Sequence, residues 1–102
     1  MNTTIKTEEK NNLKIYDIES KSFNTLKESK ELMKEMKNQI SLLYGVNRDN
    51  IRIPQGLIRL RGYSNQLNCY VNLTSTVYDF NKYIKNENFK DFKLHARFTL
   101  DK

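Results

Sequence analysis

Two stretches of the chain change character at every step. Leu67-Asn68-Cys69-Tyr70-Val71-Asn72-Leu73 and Lys93-Leu94-His95-Ala96-Arg97-Phe98-Thr99-Leu100 alternate apolar side chains with polar or tyrosine ones. A period of two is the signature of a strand with one face on a core and the other in water. A sheet built from such strands must be covered on its apolar side by a second layer. Leu60, Leu67, Cys69, Val71 and Leu73 are expected to face the core, with Arg59, Arg61, Asn68, Tyr70 and Asn72 turned outward. In the last strand Leu94, Ala96, Phe98 and Leu100 point in, and Lys93, His95, Arg97 and Thr99 point out.

The covering layer is sought in the helix signals. Thr25-Leu26-Lys27-Glu28 has the form of a capping box. Leu26, Met33, Met36, Ile40 and Leu43 follow at helical spacing, and Gly45 is a natural stop, so a helix is expected from about Phe23 to Tyr44. Lys27, Lys30, Lys34 and Lys37 line one side of it and Glu28, Glu31 and Glu35 another. Both read more readily as solvated flanks than as a binding stripe. A second helix is expected from Thr76-Val77-Tyr78-Asp79, with Val77, Phe80 and Ile84 on one face.

Punctuation is sparse, with one Pro and three Gly in 102 residues. Ile51-Arg52-Ile53 alternates briefly before Pro54-Gln55-Gly56 bends the chain. Gly62-Tyr63-Ser64-Asn65 reads as the turn of a hairpin over residues 57–74. Leu13–Ile18 reads as a short first strand, and residues 1–12 as a flexible tail. The expected fold is α+β, with two helices packed on a small antiparallel sheet in β-α-β-β-α-β order over residues 13–102. It would carry a prominent basic hairpin.

Lys and Arg number 18 against 12 Asp and Glu, a net charge of +6. Residues 51–102 hold nine basic and only four acidic side chains, whereas residues 1–50 hold nine and eight. A basic half suits an anionic partner. No apolar run is long enough to span a bilayer. The single Cys69 permits no internal disulfide, and the polar start of the chain lacks the apolar stretch of a signal peptide, so a cytoplasmic protein is expected. One His, no zinc spacing and no Gly-rich phosphate loop argue against an enzyme, a metal site or a cofactor. Cys69 reads as a buried core thiol and His95 as a surface residue.

The outward face offers a more specific reading. Arg59 and Arg61, two apart, share one side of a strand, and Arg binds phosphate or guanine edges bidentately. Asn65, Gln66 and Asn68 at the hairpin tip, with Tyr70, Lys93 and Arg97, complete a candidate DNA-binding set. A protein-protein module presenting the same basic face to an acidic partner is the competing reading.

Two families share parts of this pattern. The β-α-β-β-α-β order, with Ile15-Tyr16 and Tyr70-Val71, resembles an RNA-recognition (RRM) domain. That resemblance implies single-stranded RNA stacked on Tyr16 and Tyr70. The hairpin Leu57–Leu73, with Arg59, Arg61 and its Asn/Gln-rich tip, resembles the wing of winged helix-turn-helix proteins, among them the TcpK-like relaxosome accessory proteins of clostridial conjugative plasmids. This second resemblance implies a sequence-specific homodimer on double-stranded DNA, as an accessory or regulatory protein at a plasmid's origin of transfer. Double-stranded DNA is the partner expected on both the charge and this resemblance.

Overall fold

A computed structural model describes residues 2–44, 53, 56–74 and 77–101. Five strands, β1 (Thr3–Lys10), β2 (Leu13–Ser20), β3 (Ile58–Ser64), β4 (Cys69–Thr74) and β5 (Phe89–Asp101), form one sheet in the order β1-β2-β5-β3-β4. Every neighbouring pair is antiparallel. Among the described residues one helix, α1 (Leu26–Tyr44), and a short 3-10 helix, Val77–Lys82, accompany it. Both β2 and β3 run against β5, so they are parallel to each other, and α1 links them across the strand that separates them.

The β-α-β-β-α-β arrangement is therefore corrected, and with it the winged-helix and RRM-like frames. The expected second helix is a 3-10 helix closed by short bonds, Tyr83 N–H to Phe80 O at 2.9 Å and Asn86 N–H to Tyr83 O at 2.9 Å. Val77-Tyr78-Asp79-Phe80-Asn81 holds only weak helix formers, so the burial of Phe80 pins a single tight turn and no longer helix propagates. Thr76, expected as its cap, lies outside the described residues, as do Gly45, Ile51, Arg52, Pro54 and Gln55.

The expected flexible tail is also corrected. Residues 3–10 are β1, an edge strand paired along its length with β2. Asn11 and Asn12 close that hairpin with φ of 53° and 64°, the pair of left-handed conformations a two-residue type I′ turn requires. Asn tolerates them better than most residues. The second hairpin turns later than expected: β3 runs through Gly62, Tyr63 and Ser64, and Asn65–Asn68 form the loop.

The helix matches its expected span closely. Thr25 Oγ1 accepts from the Glu28 N–H at 3.2 Å and donates to Glu28 Oε1 at 3.0 Å. Its buried residues are Ser29, Leu32, Met36, Ile40 and Ser41, with Leu26, Met33 and Leu43 only partly covered. The two buried serines donate back to carbonyls of the previous turn, Ser29 to Leu26 at 2.6 Å and Ser41 to Lys37 at 3.0 Å, so neither hydroxyl is orphaned. Opposite α1, the sheet contributes Tyr16, Ile18, Ile58, Leu60, Phe92, Leu94, Ala96 and Phe98, and Phe23 and Phe80 fill the side.

Three facing assignments change. Tyr16 lies on the helix side, 8% exposed, stacked on Phe98 at 5.3 Å. Leu67, at 67%, and Cys69 are exposed although their alternation points them inward. They sit at the end of the sheet farthest from β2, beyond the reach of the single helix. A bulge in β5 sets two residues, Asp91 and Phe92, against Gly62, and Asp91 takes the left-handed conformation (φ 51°). A Cβ on Gly62 would lie 2.9 Å from Leu73 and 3.3 Å from the buried Phe92 ring.

Gly62→Val is expected to destabilise the fold by about 1–3 kcal/mol through overpacking. Leu94→Ala, in the fully buried centre of β5, is expected to cost about 2–5 kcal/mol, whereas Leu13→Ala on the exposed end of β2 should cost well under 1 kcal/mol. Urea titrations read all three, and a Leu94→Ala protein as stable as wild type contradicts the core described.

Candidate nucleic-acid interface

The helix covers one face of the sheet; among the described residues no element lies over the other. Side chains on that open face follow from strand register. On β3, Ile58, Leu60, Gly62 and Ser64 are buried, so Arg59, Arg61 and Tyr63 point the other way. Arg59 sits opposite His95 of β5; Arg61 sits between Lys93 of β5 and Asn72 of β4; Tyr63 sits between Lys90 of β5 and Tyr70 of β4. Arg97 follows two residues beyond His95 along β5. Arg59, Arg61, Tyr70, Lys93 and Arg97, five of the eight expected site residues, thus share one surface.

The other three belong to the hairpin loop, where two of them are structural. Asn65 donates its side-chain amide to the Glu87 carbonyl at 2.8 Å, and its N–H to the Asn88 carbonyl at 2.8 Å. That ties the loop to the turn before β5 and removes Asn65 from base readout. Asn68 takes φ 57°, the left-handed residue that returns the chain into β4. Gln66, also in this loop, is exposed.

Sequence reasoning missed the acids among these cations. Asp17 and Glu19 project from β2 onto the same face, because Tyr16 and Ile18 project to the other. Asp17 Oδ1 lies 3.0 Å from His95 Nε2, and Arg97 Nη1 donates to Asp17 Oδ2 at 3.3 Å. Lys93 Nζ donates to Glu19 Oε1 at 2.9 Å. The hydrogen bond it donates to Glu19 holds the Lys93 ammonium above its usual 10.5, against the lowering that burial exerts, with the Glu19 charge and Tyr70 adding to the rise. The alternation of Tyr16-Asp17-Ile18-Glu19 carried this signal, once the buried parity was known.

Two lysines of this face also lie over aromatic rings. Lys93 Nζ lies 4.9 Å from the Tyr70 ring centre and Lys90 Nζ 5.3 Å from that of Tyr63. The two tyrosines meet edge to face at 5.4 Å. Lys90 and Tyr63 were absent from the expected site, Lys90 because the β5 bulge resets its register. Arg61 has a buried Nε with no acceptor among the described residues, and Arg59 is exposed with no carboxylate partner among them. Arg61 directly opposite Lys93 is a like-charge cross-strand pair, an arrangement that costs stability in an isolated sheet.

The fold and the surface together define an open-faced, single-helix antiparallel sheet with a basic, tyrosine-bearing side. No protein-family profile, curated protein or solved structure matches the chain.

Because Lys93 is raised by its partner, the stability it adds is complete below the ordinary lysine value and is lost as pH rises through the raised one. The stability gap between wild type and Glu19→Gln is therefore expected to stay constant from neutral pH to about 10 and to narrow above it. Thermal melts across that range read it; a gap already closing near pH 8 contradicts the pairing.

Proposed function

We propose that this protein binds double-stranded DNA through the open face of β3, β4 and β5. The observation that carries the reading is the row of Arg61 set against Lys93, with Arg59 and Lys90 in the flanking rows, on a face with no covering layer. Lys93 already has Glu19 as its partner, but Arg59 and Arg61 have no carboxylate beside them among the described residues, so a polyanion lying across this face would supply their counter-charge. Arg59, exposed and without a carboxylate partner among the described residues, is the side chain most open to a phosphate, with the guanidinium of Arg61 beside it.

Duplex is favoured over single strands by the aromatic groups. Tyr16, one of the two rings a stacking platform would use, is buried against Phe98 on the opposite side of the sheet. Tyr63 and Tyr70 carry lysine ammonium groups over their rings, so they serve to position charge and not to accept a base. The strands that hold Tyr16 and Tyr70, β2 and β4, are also separated by β5 and β3. The proposal stands on this charge placement and not on the winged-helix resemblance, whose two-helix frame is absent. Among the described residues no helix is long and apolar enough to cross a membrane, which accords with a cytoplasmic site of action.

Fluorescence anisotropy with duplex DNA, single-stranded DNA and RNA across a salt series tests the reading. Duplex affinity is expected to fall with a log–log slope of about −3 to −4, the release from three or four phosphates. Arg59→Ala with Arg61→Ala should weaken binding at least tenfold and flatten the slope by about 2. Asp17→Asn with Glu19→Gln, which unmasks Arg97 and Lys93, should tighten it. No salt-sensitive binding to duplex at low ionic strength, or an unchanged affinity in the double arginine variant, rejects the proposal.

A further inference from the structure

The two edges of the sheet are built differently. β1 carries Lys6, Glu8, Glu9 and Lys10 among its eight residues, the charges with which sheet edges discourage pairing. β4, Cys69-Tyr70-Val71-Asn72-Leu73-Thr74, carries no charge and no Pro, and it is rich in good strand formers. Among the described residues no strand lies beyond it. Tyr83 approaches the Leu73 carbonyl at 3.5 Å, near the far end only.

The side chains of β4 point the same way. Leu67 in the loop, and Cys69, Val71 and Leu73 in β4, alternate as a buried strand does; Leu73 packs against the core, yet Leu67 and Cys69 are exposed and Val71 is only half-buried. The pattern asks for a covering that the single helix, lying over β2 and β5, does not supply. Because β4 is the last strand of the sheet, a further strand laid along it would supply backbone donors and acceptors together with apolar side chains on the helix side.

We propose that β4 is a dimer interface: two copies of this chain pair β4 against β4 in antiparallel fashion, related by a two-fold axis. An antiparallel edge is self-complementary, since each backbone contact made by one copy is repeated by the other. The uncharged strand lets two basic molecules approach, because Arg61 and Lys93 are set back one and two strands from the axis. A two-fold axis perpendicular to the sheet keeps both open faces on the same side. The result is one ten-stranded sheet whose apolar β4 side chains meet beside the helices and whose basic rows lie end to end on the opposite surface. That choice of a second copy over a foreign strand follows from this joining of like faces.

Sedimentation velocity of the full chain over a hundredfold concentration range, with no nucleic acid present, tests the interface separately from DNA binding. Cys69→Lys with Asn72→Lys places charges at two exposed positions of β4, so the monomer fold is retained, as circular dichroism would verify. Wild type is expected to sediment as a concentration-dependent dimer, with β4 amides exchanging more slowly in deuterium as concentration rises. The double variant should raise the dissociation constant at least tenfold. A wild type that stays monomeric throughout overturns the proposal. So does a dimer that survives the β4 variant, or one that Thr7→Lys on β1 breaks instead.

Discussion

Everything in this fold hangs on the placement of β5. It pairs with β2 on one side and β3 on the other, and without it the two hairpins share no backbone contact. Its inward residues Phe92, Leu94, Ala96 and Phe98 form the floor on which α1 rests. Its outward residues Lys93, His95 and Arg97 hold the middle of the open face. One alternating strand therefore sets both the core and the charged surface, and a slip of one residue would exchange them. The bulge at Asp91, opposite Gly62, is where that register is adjusted so that Lys90 can stand beside Tyr63.

The open face is graded across its width. On the β2 side Arg97 is matched by Asp17 and Lys93 by Glu19, and the His95 ring also lies against Asp17. On the β3 and β4 side the companions are tyrosine rings, and Arg59 and Arg61 have no acid beside them among the described residues. Solvent-exposed ion pairs contribute little to stability, so the acids of β2 matter chiefly for where the potential peaks. On this face the cations without a carboxylate partner among the described residues, Arg59 and Arg61, lie on β3, next to the uncharged strand β4.

Much of this was legible in the sequence, for physical reasons that also explain the failures. β5 and the hairpin strands were readable because alternation over seven or eight residues has one economical solution, a half-buried strand. The helix was readable because the Thr25–Glu28 box and its apolar spacing agree. β1 was missed because an edge strand exposed on both faces has no alternation to detect; only Asn11-Asn12, a turn pair, marked it. The second helix failed because capping residues signal where a helix starts and not whether the following residues can sustain one. Five of eight site residues were found on one face by parity alone. Asn65 and Asn68 were misread because their roles, a bond to a distant turn and a left-handed φ, depend on tertiary contact. Tyr16 was misplaced because parity within a strand does not say which face is buried.

The order of the strands in the sheet differs from their order in the chain, and this has a consequence for how the molecule is made. Both hairpins and the helix precede β5, so they emerge from synthesis before the strand that unites them. Each hairpin can close locally, but neither can complete a core, since Leu60, Ile18 and the underside of α1 all wait for Leu94 and Ala96. Joining them requires contacts between residues as far apart as Asp17 and His95, so the final step is long-range and slow compared with the closure of either hairpin. A chain that has emerged only as far as β4 holds the residues of four of the five strands and lacks the one that joins the two hairpins.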